Sequence, residues 1–446
     1  MPAKNKVELL SLAKNESLWL LCSHFLYSNA MMKKSPIALA ALLLALGTAS
    51  ISVMPTVAQA QTSEEQKKKE VIRNEWSKPY TEIQKLIGDK QYAEALEKVN
   101  ALAAAENKTA YESFFLSRTK AVIASGTGNT DLLAKCFEEM IASEFLSGDE
   151  KIKYAIGMAS SYYNEKRYAD SQVWVKRYLS LGGKDAAMKD LEVQNYYFND
   201  DYANAAATVR AEIAADEKAN RVPGQTRLRL LHGASMKLKD IEGSTFALEL
   251  LVKYHPQKEY WADLLFRLPN KTGFNERLRL DWYRLLLATE NLEDGNMFVE
   301  MAEIALLAGL PLEAKQVVEI GYKTNMLGTG KNAPQHKILL AKATKQAADD
   351  AKTLDAGEAA AKAAKTGLAM VNMGFNFVVN GQFERGIALI EQGIAKGGLK
   401  SVDEAKLRLG QAYLKAGNKE KAAEVLKSIQ ANDGSSDLAR YWLMVK

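Results

Sequence analysis

The chain has 446 residues, 47% hydrophobic and 25% charged, with a formal net charge of +5. Five of the 59 basic residues and two of the 54 acidic residues precede Gln61, so the chain from Gln61 onward carries only +2. No basic face is concentrated enough to bind nucleic acid. The two cysteines, Cys22 and Cys136, fall on either side of Gln61, which excludes an internal disulfide in the later part.

Residues 31–61 read MMKKSPIALAALLLALGTASISVMPTVAQAQ. Lys33 and Lys34 form a basic n-region, and Ile37 to Gly47 is an apolar h-region. Pro55 then disfavours further helix, and Ala58-Gln59-Ala60 has the small-x-small pattern of a signal-peptidase site. Cleavage is expected between Ala60 and Gln61. No Cys follows the apolar run, so a lipid-modified terminus is not expected. Residues 1–31 are read as an over-extended start, and 32–60 as the cleavable signal. The rival is an uncleaved anchor: Pro36 to Met54 approaches the roughly 20 apolar residues a bilayer needs, with five Lys on its N-terminal side.

Beyond Gln61, apolar residues recur at helical spacing. LIGDKQYAEALEKVNAL (86–102) holds a turn followed by a second helix with Tyr92, Ala95 and Val99 on one face. Residues 111–143 form an irregular helix pair around SGTGN (125–129), with Cys136 on the second helix. SGTGN lacks the Lys-Ser/Thr of a phosphate loop and reads as a turn. Then MASSYYNEKRYADSQVWVKRYLSLGG (158–183) and EVQNYYFNDDYANAAATVRAEIAADE (192–217) align at an offset of 34. Tyr162-Tyr163 matches Tyr196-Tyr197, Tyr168 matches Tyr202, Ser171 matches Ala205, and Val175 matches Val209. Each copy predicts two amphipathic helices around a short polar turn, Asn164 to Arg167 or Asn199 to Asp201.

Residues 228–256 keep the pattern with a lengthened turn, and 260–291 with a longer joint at Pro269 to Gly273. FVEMAEIALLAGLPLEAKQVVEIG (298–321) restores it, with Met301-Ala302, Gly309 and Ala314. The Ala- and Lys-rich stretch 336–365 predicts solvated helix or a hinge, broken at Gly357. Two clear copies follow. MVNMGFNFVVNGQFERGIALIEQG (370–393) carries Gly374, Phe377, Gly381, Phe383, Gly386 and Gly393. KLRLGQAYLKAGNKEKAAEVLKSI (406–429) carries Gly410, Tyr413, Gly417 and Ala422. The end, SDLARYWLMVK (436–446), predicts a helix capped by Ser or Asp, lying over the last unit and exposing Tyr441, Trp442 and Leu443.

A 34-residue helix–turn–helix period resembles the tetratricopeptide repeat (TPR) family. The small residues Gly374, Gly410 and Ala302, with Gly386, Ala422 and Ala314 on the second helix, allow close helix approach. Gly381 and Gly417 permit the turn. The resemblance implies an all-α, right-handed helix–turn–helix solenoid. Its first helices would line a groove for an extended peptide or partner helix, placing Tyr163 and Tyr197 in that groove with Asn164 and Phe198 beside them. Packing of these residues against a neighbouring helix is the alternative. The basic-and-Asn clamp of some family members is missing, since Ile156, Ser160, Val371 and Phe375 stand at the corresponding positions.

Catalytic signatures are lacking. The three histidines after Gln61, His232, His255 and His336, have no metal-ligand spacing, and no nucleophile elbow, P-loop or dinucleotide fingerprint occurs. No cofactor, metal or catalytic residue is therefore expected. The expected organisation is TPR-like helices over 61–330 (irregular in 223–296), a helical connector over 331–365, and a TPR pair with a capping helix over 366–446. The expected function is a non-enzymatic periplasmic scaffold binding a protein or peptide, with membrane contact only through an uncleaved signal. Two alternatives stand beside it. One is an inner-membrane-anchored scaffold of an envelope machine, of the TonB energy-transducing or outer-membrane and peptidoglycan assembly kind, which the resemblance suggests. The other is an envelope enzyme subunit with a site in 257–296.

Overall fold

The computed structural model describes residues 71–445. The export segment, with Ala58, Ala60 and Gln61, lies outside the described residues. The chain divides into two compact units, Met1–Ala205 and Ala206–Lys446. The described residues form twenty α-helices and no strand. The fold class is all-α: helix–turn–helix hairpins that stack on one another, as the repeat pattern predicts.

The first unit contains α1 (Ser77–Gly88), α2 (Tyr92–Ala103), α3 (Ala110–Thr127), α4 (Thr130–Ala142), α5 (Gly148–Asn164), α6 (Tyr168–Ser180) and α7 (Ala186–Phe198). The division falls within α8 (Tyr202–Lys218). Local chemistry starts these helices. Thr109 and Ser147 form capping boxes with Glu112 and Glu150, and Asn129 and Asp185 accept from Leu132 N and Ala187 N. Their apolar residues then form two core clusters, one around Trp76, Ile83 and Val99 and a larger one from α3 to α7, with α3 contributing to both. Phe137, Met140, Ala155, Met158 and Val175 are fully buried, and Phe137 stacks on Tyr154 at 4.4 Å. Burial of each large side chain contributes about 1.5–3 kcal/mol. Cys136 belongs to this core, where burial pushes its thiol pKa up to about 12. That environment makes it a small apolar residue rather than a nucleophile.

One turn geometry recurs. The second and third residues after the first helix fold back by one bond each: Lys166 N to Tyr163 O and Arg167 N to Tyr162 O, then Asp200 N to Tyr197 O and Asp201 N to Tyr196 O. The middle residue is left-handed, with φ of 60° at Lys166 and 58° at Asp200. This is the Schellman closure of a helix end. Gly381 and Gly417 occupy the same place at φ of 80° and 78°. Lys239, at 59°, closes the turn between α9 (Gln225–Lys237) and α10 (Ile241–Tyr254). The expected lengthening there is therefore corrected: a lysine supplies the left-handed residue, so the glycine signal is missing but the turn is short.

The second unit continues with α11 (Lys258–Arg267), α12 (Arg279–Ala288), α13 (Gly295–Leu307), α14 (Pro311–Lys323), α15 (Ala333–Ala363), α16 (Leu368–Val379), α17 (Phe383–Lys396), α18 (Val402–Lys415), α19 (Lys419–Lys427) and α20 (Ser435–Trp442). The small residues do what their spacing requires. A Cβ on Gly374 would stand 2.6 Å from Gly386 O, and one on Gly386 would stand 2.5 Å from Gly374 O. Ala302, Ala314 and Ala422 are fully buried, a Cβ on Gly410 would strike Leu426, and Phe383 is half-buried.

Three expectations need correction. Helix α15 runs through Gly357 unbroken. A Cβ there would stand 3.0 Å from Met373 Sδ, so this glycine makes room for α16 rather than ending a helix. Most of that helix is exposed, as its composition predicts, and it buries one stripe at helical spacing, His336, Leu339, Ala343, Ala347, Leu354 and Ala361. Helix α20 has Gly434 as its N-cap with no side-chain cap, and Tyr441 is 3% exposed. It packs on α18 and α19 as a cap should, but also on α12.

Candidate functional site

The four residues singled out in the first unit fall at the turn end of two successive hairpins. Tyr163 and Asn164 close α5, and Tyr197 and Phe198 close α7. Tyr163 Oη donates to Gln194 Oε1 at 2.7 Å, linking the first helices of the two hairpins. Rings then run in a chain. Tyr163 meets Tyr168 at 5.5 Å and Phe198 at 6.3 Å, both edge-on, and Tyr168 stacks on Phe198 at 5.1 Å. Phe198 meets Tyr197 at 5.6 Å and 90°, and Tyr197 meets Tyr202 at 5.3 Å. Edge-to-face contacts of this kind are worth about 0.5–1.5 kcal/mol each beyond area burial. All five rings are half-buried, and Asn164 is exposed. The structure thus brings Tyr163, Tyr197 and Phe198 into one strip, joined by Tyr168 and Tyr202.

Carboxylates border the strip. The Arg167 guanidinium lies 4.5 Å over the Tyr162 ring and pairs with Asp131 and Asp170, each at 2.7 Å, with Glu165 at 3.9 Å. Tyr162 Oη donates to Asp131 at 3.2 Å, and burial together with that carboxylate raises its pKa to about 12. At the next turn Tyr202 Oη donates to Asp200. Burial and Asp200 likewise raise Tyr202 to about 12. Along the same first helices the chain presents Ile152 and Ile156 on α5 and Val122 on α3, all half-buried. All three pack against the core of the unit.

The second unit contains a polar convergence that no local signature announces. His232 Nδ1 lies 3.0 Å from Ser244 Oγ, and His232 Nε2 lies 3.2 Å from Asp263 Oδ2. Arg267 donates to Ser244 Oγ at 2.9 Å and to Asp263 Oδ1 at 2.7 Å. Burial opposes ionisation of Asp263, but the bond from His232 and the Arg267 charge outweigh it and hold the carboxyl below the usual range. Ser, His and Asp in a row invite comparison with a hydrolase triad. Ser244, however, is fully buried on α10, and its oxygen is already engaged by the guanidinium. A substrate carbonyl has no path to it, so the row locks α9, α10 and α11 together.

A second buried network sits in the same irregular region. Arg284 on α12 grips Glu313 with two bonds of 2.7 Å, donates to Asp281 at 2.8 Å and lies 4.3 Å over the Phe375 ring. Gln411 Nε2 completes Asp281 at 3.0 Å. Phe375 and Val371, at positions that the resemblance assigns to a groove, are 1% and 0% exposed. The Arg284 guanidinium of α12 lies over Phe375 on that face of α16. Among the described residues no group of His, Cys, Asp and Glu is arranged to hold a metal ion, and no helix is long and apolar enough to cross a membrane.

No family model and no curated protein matches the chain. Solved structures similar to it include the following three. The TPR2AB-domain:pHSP90-complex of yeast Sti1 shares 12% identity, covering 67% of this chain and 100% of that one, with a TM-score of 0.24. Yeast Tom70 shares 10%, covering 82% and 94%, with a TM-score of 0.21. The P58(IPK) TPR domain shares 13%, covering 83% and 96%, with a TM-score of 0.20.

Proposed function

We propose that the chain is a non-enzymatic scaffold of the tetratricopeptide kind, exported to the periplasm, that binds a protein partner along the aromatic edge of its first unit. The observation that carries this reading is the pairing of the 34-residue repeat with the ring strip. Equivalent residues of two copies, Tyr163 and Tyr197, stand half-buried in one continuous strip with Phe198 and Tyr202. Large rings held rigid by their neighbours lose little entropy on binding, which is why Tyr recurs at interface hot spots. The engagement of Ser244 and the filling of the α12 network favour binding over catalysis in 257–296.

The test is a photo-crosslinking residue placed at Tyr163 or Tyr197 in cells. A crosslinked protein at both positions, and none from exposed Lys400 as a control, is the expected result. Absence of any adduct at Tyr163 and Tyr197 overturns the reading. Export rests on the sequence of residues 31–61. Intact mass of the secreted product distinguishes a chain starting at Gln61 from the membrane-anchored alternative.

A further inference from the structure

The two halves of helix α15 treat charge differently. From Asp349 onward its charged side chains are braced. Lys352 pairs with Asp349 at 3.2 Å, Lys362 with Glu358 at 2.6 Å, and Arg385 with Asp355 at 2.7 Å and with Glu358. Asn376 Nδ2 donates to Asp350 at 2.9 Å. The chain before Asp349 is unlike this. Between Glu319 and Asp349 the sequence holds Lys323, Lys331, Lys337, Lys342 and Lys345, with no carboxylate and no arginine. All five lysines are exposed, and among the described residues none is in an ion pair.

The fold gathers these charges on one side of the second unit. His336, Leu339, Ala343 and Ala347 form the buried stripe of this half of α15. Helical spacing then puts Lys337, Ile338, Lys342 and Lys345 on the outer side, over about 12 Å of helix. Ile338 is 68% exposed. Gly328 N donates to His336 Nδ1 at 3.1 Å, and Ala333 N to Gly330 O at 3.2 Å. The loop that carries Lys331 and the exposed Met326 therefore lies against the first turns of the helix. A lone exposed apolar residue is ordinary. Here it is flanked by unpaired cations of one kind.

That kind is informative. Where this chain grips a carboxylate in a fixed place it uses arginine: Arg73 on Glu112, Arg284 on Glu313 and Arg440 on Glu249. A guanidinium is a rigid fork, whereas a lysine is a point charge on a flexible stem. Lysines around an isoleucine suit anions that have no fixed positions and an apolar layer beneath them. We propose that this face of the second unit, from Lys331 to Lys345, rests on a membrane surface that carries anionic lipid. The lysines meet the headgroups, and Ile338 enters the boundary with the acyl chains. The contact is peripheral and salt-sensitive, and it does not depend on the partner site of the first unit.

The test is co-sedimentation of the full chain with vesicles of phosphatidylcholine, alone or with about one third phosphatidylglycerol. The chain pellets with the anionic vesicles at low salt and is released as salt rises. Lys337→Gln, Lys342→Gln and Lys345→Gln together weaken this binding about tenfold or more. Ile338→Ser weakens it about three- to tenfold. Removing as many charges at exposed Lys184, Lys400 and Lys427 changes it by about twofold or less. Every variant alters exposed side chains, and circular dichroism checks that each keeps its helix. All of them share residues 1–70, so a difference between them belongs to the patch. Equal binding to both vesicle types, untouched by the variants, overturns the proposal and points to the export segment. No binding to either vesicle overturns it, and so does an equal loss in the two lysine triples, which leaves net charge alone. Tighter binding to polyglutamate than to anionic vesicles makes the occupant an acidic polypeptide and overturns it as well. Crosslinking from Tyr163 and Tyr197 judges the scaffold reading separately in every case.

Discussion

Glu112 is the carboxylate whose ionisation the first unit needs most, and Glu112→Gln isolates it. The residue is 1% exposed. It accepts from Arg73 N at 3.0 Å, Arg73 Nε at 2.8 Å, Arg73 Nη2 at 2.7 Å and Thr109 N at 2.9 Å. The Arg73 bonds, working against the penalty of burial, hold its pKa down to about 2. Glutamine keeps the shape but turns an NH2 toward a site that holds only donors. Removing one partner of a buried ion pair costs about 3–5 kcal/mol. The Arg73 side chain is 27% exposed and can rehydrate, so about 2–3 kcal/mol is expected. The sign with pH follows from the lowered value. A folded pKa below the unfolded one gives stability that is complete above about pH 5 and lost as pH falls toward 2. Hydrogen exchange across residues 73–87, at pH 7 and near pH 3.5, reads the local opening free energy of this corner. Glu112→Gln should open more readily at pH 7, and the gap to wild type should shrink by pH 3.5. An equal gap at both pH values refutes the electrostatic account and leaves only lost packing.

Lys239→Gly relieves a left-handed lysine in an open turn and should stabilise the second unit by about 0.5–1 kcal/mol in urea unfolding. Gly374→Ala drives a Cβ to 2.6 Å from Gly386 O and 2.7 Å from an Ile390 side-chain carbon, so a loss of about 1–3 kcal/mol or more is expected. Gly410→Ala meets only the Leu426 side chain, which can shift, and should cost less in the same assay. Arg284→Met leaves Glu313 and Asp281 buried without their guanidinium and should cost about 3–5 kcal/mol, whereas changing Arg284, Asp281 and Glu313 together to apolar residues should recover most of it.

What the sequence makes legible follows from the range of the forces involved. Turns closed by Gly381 and Gly417 show themselves, because glycine is the residue that enters the left-handed region without strain. The turn closed by Lys239 does not, since a lysine in that conformation has no signature. The Tyr163 and Tyr197 strip is legible because a repeat places the same residue twice. The buried stripe on α15 is faint because three of its six residues are alanine, and alanines also stand on the exposed face of the same helix. His232, Ser244, Asp263 and Arg267 meet only because three helices cross, and no local spacing encodes a crossing. The export segment belongs to the sequence alone.

The second unit differs from a simple repeat array in the range of its contacts. In a simple repeat array each hairpin touches only its neighbours, and contacts stay short in sequence. The second unit breaks that rule. Asn275 N donates to Asp433 O at 2.9 Å, Lys271 pairs with Asp437 at 2.7 Å, Arg440 pairs with Glu249 at 2.7 Å, and Gln411 reaches Asp281 at 3.0 Å. Gly434, at φ 98°, lets the chain pass close against Phe274, where a Cβ would stand 2.6 Å from the ring. These contacts draw the C-terminal helix onto the irregular joint, and α12 comes to rest against Phe375 on α16. The cohesion of this unit is therefore long-range, and loss of residues 434–446 should raise hydrogen exchange around 271–286 as well as in α18 and α19. In the first unit, by contrast, Ile156 and Tyr163 are half-buried on α5, where Tyr163 contacts Tyr168 and Phe198. The proposed partner site lies in the first unit, while the second is held together by contacts distant in sequence.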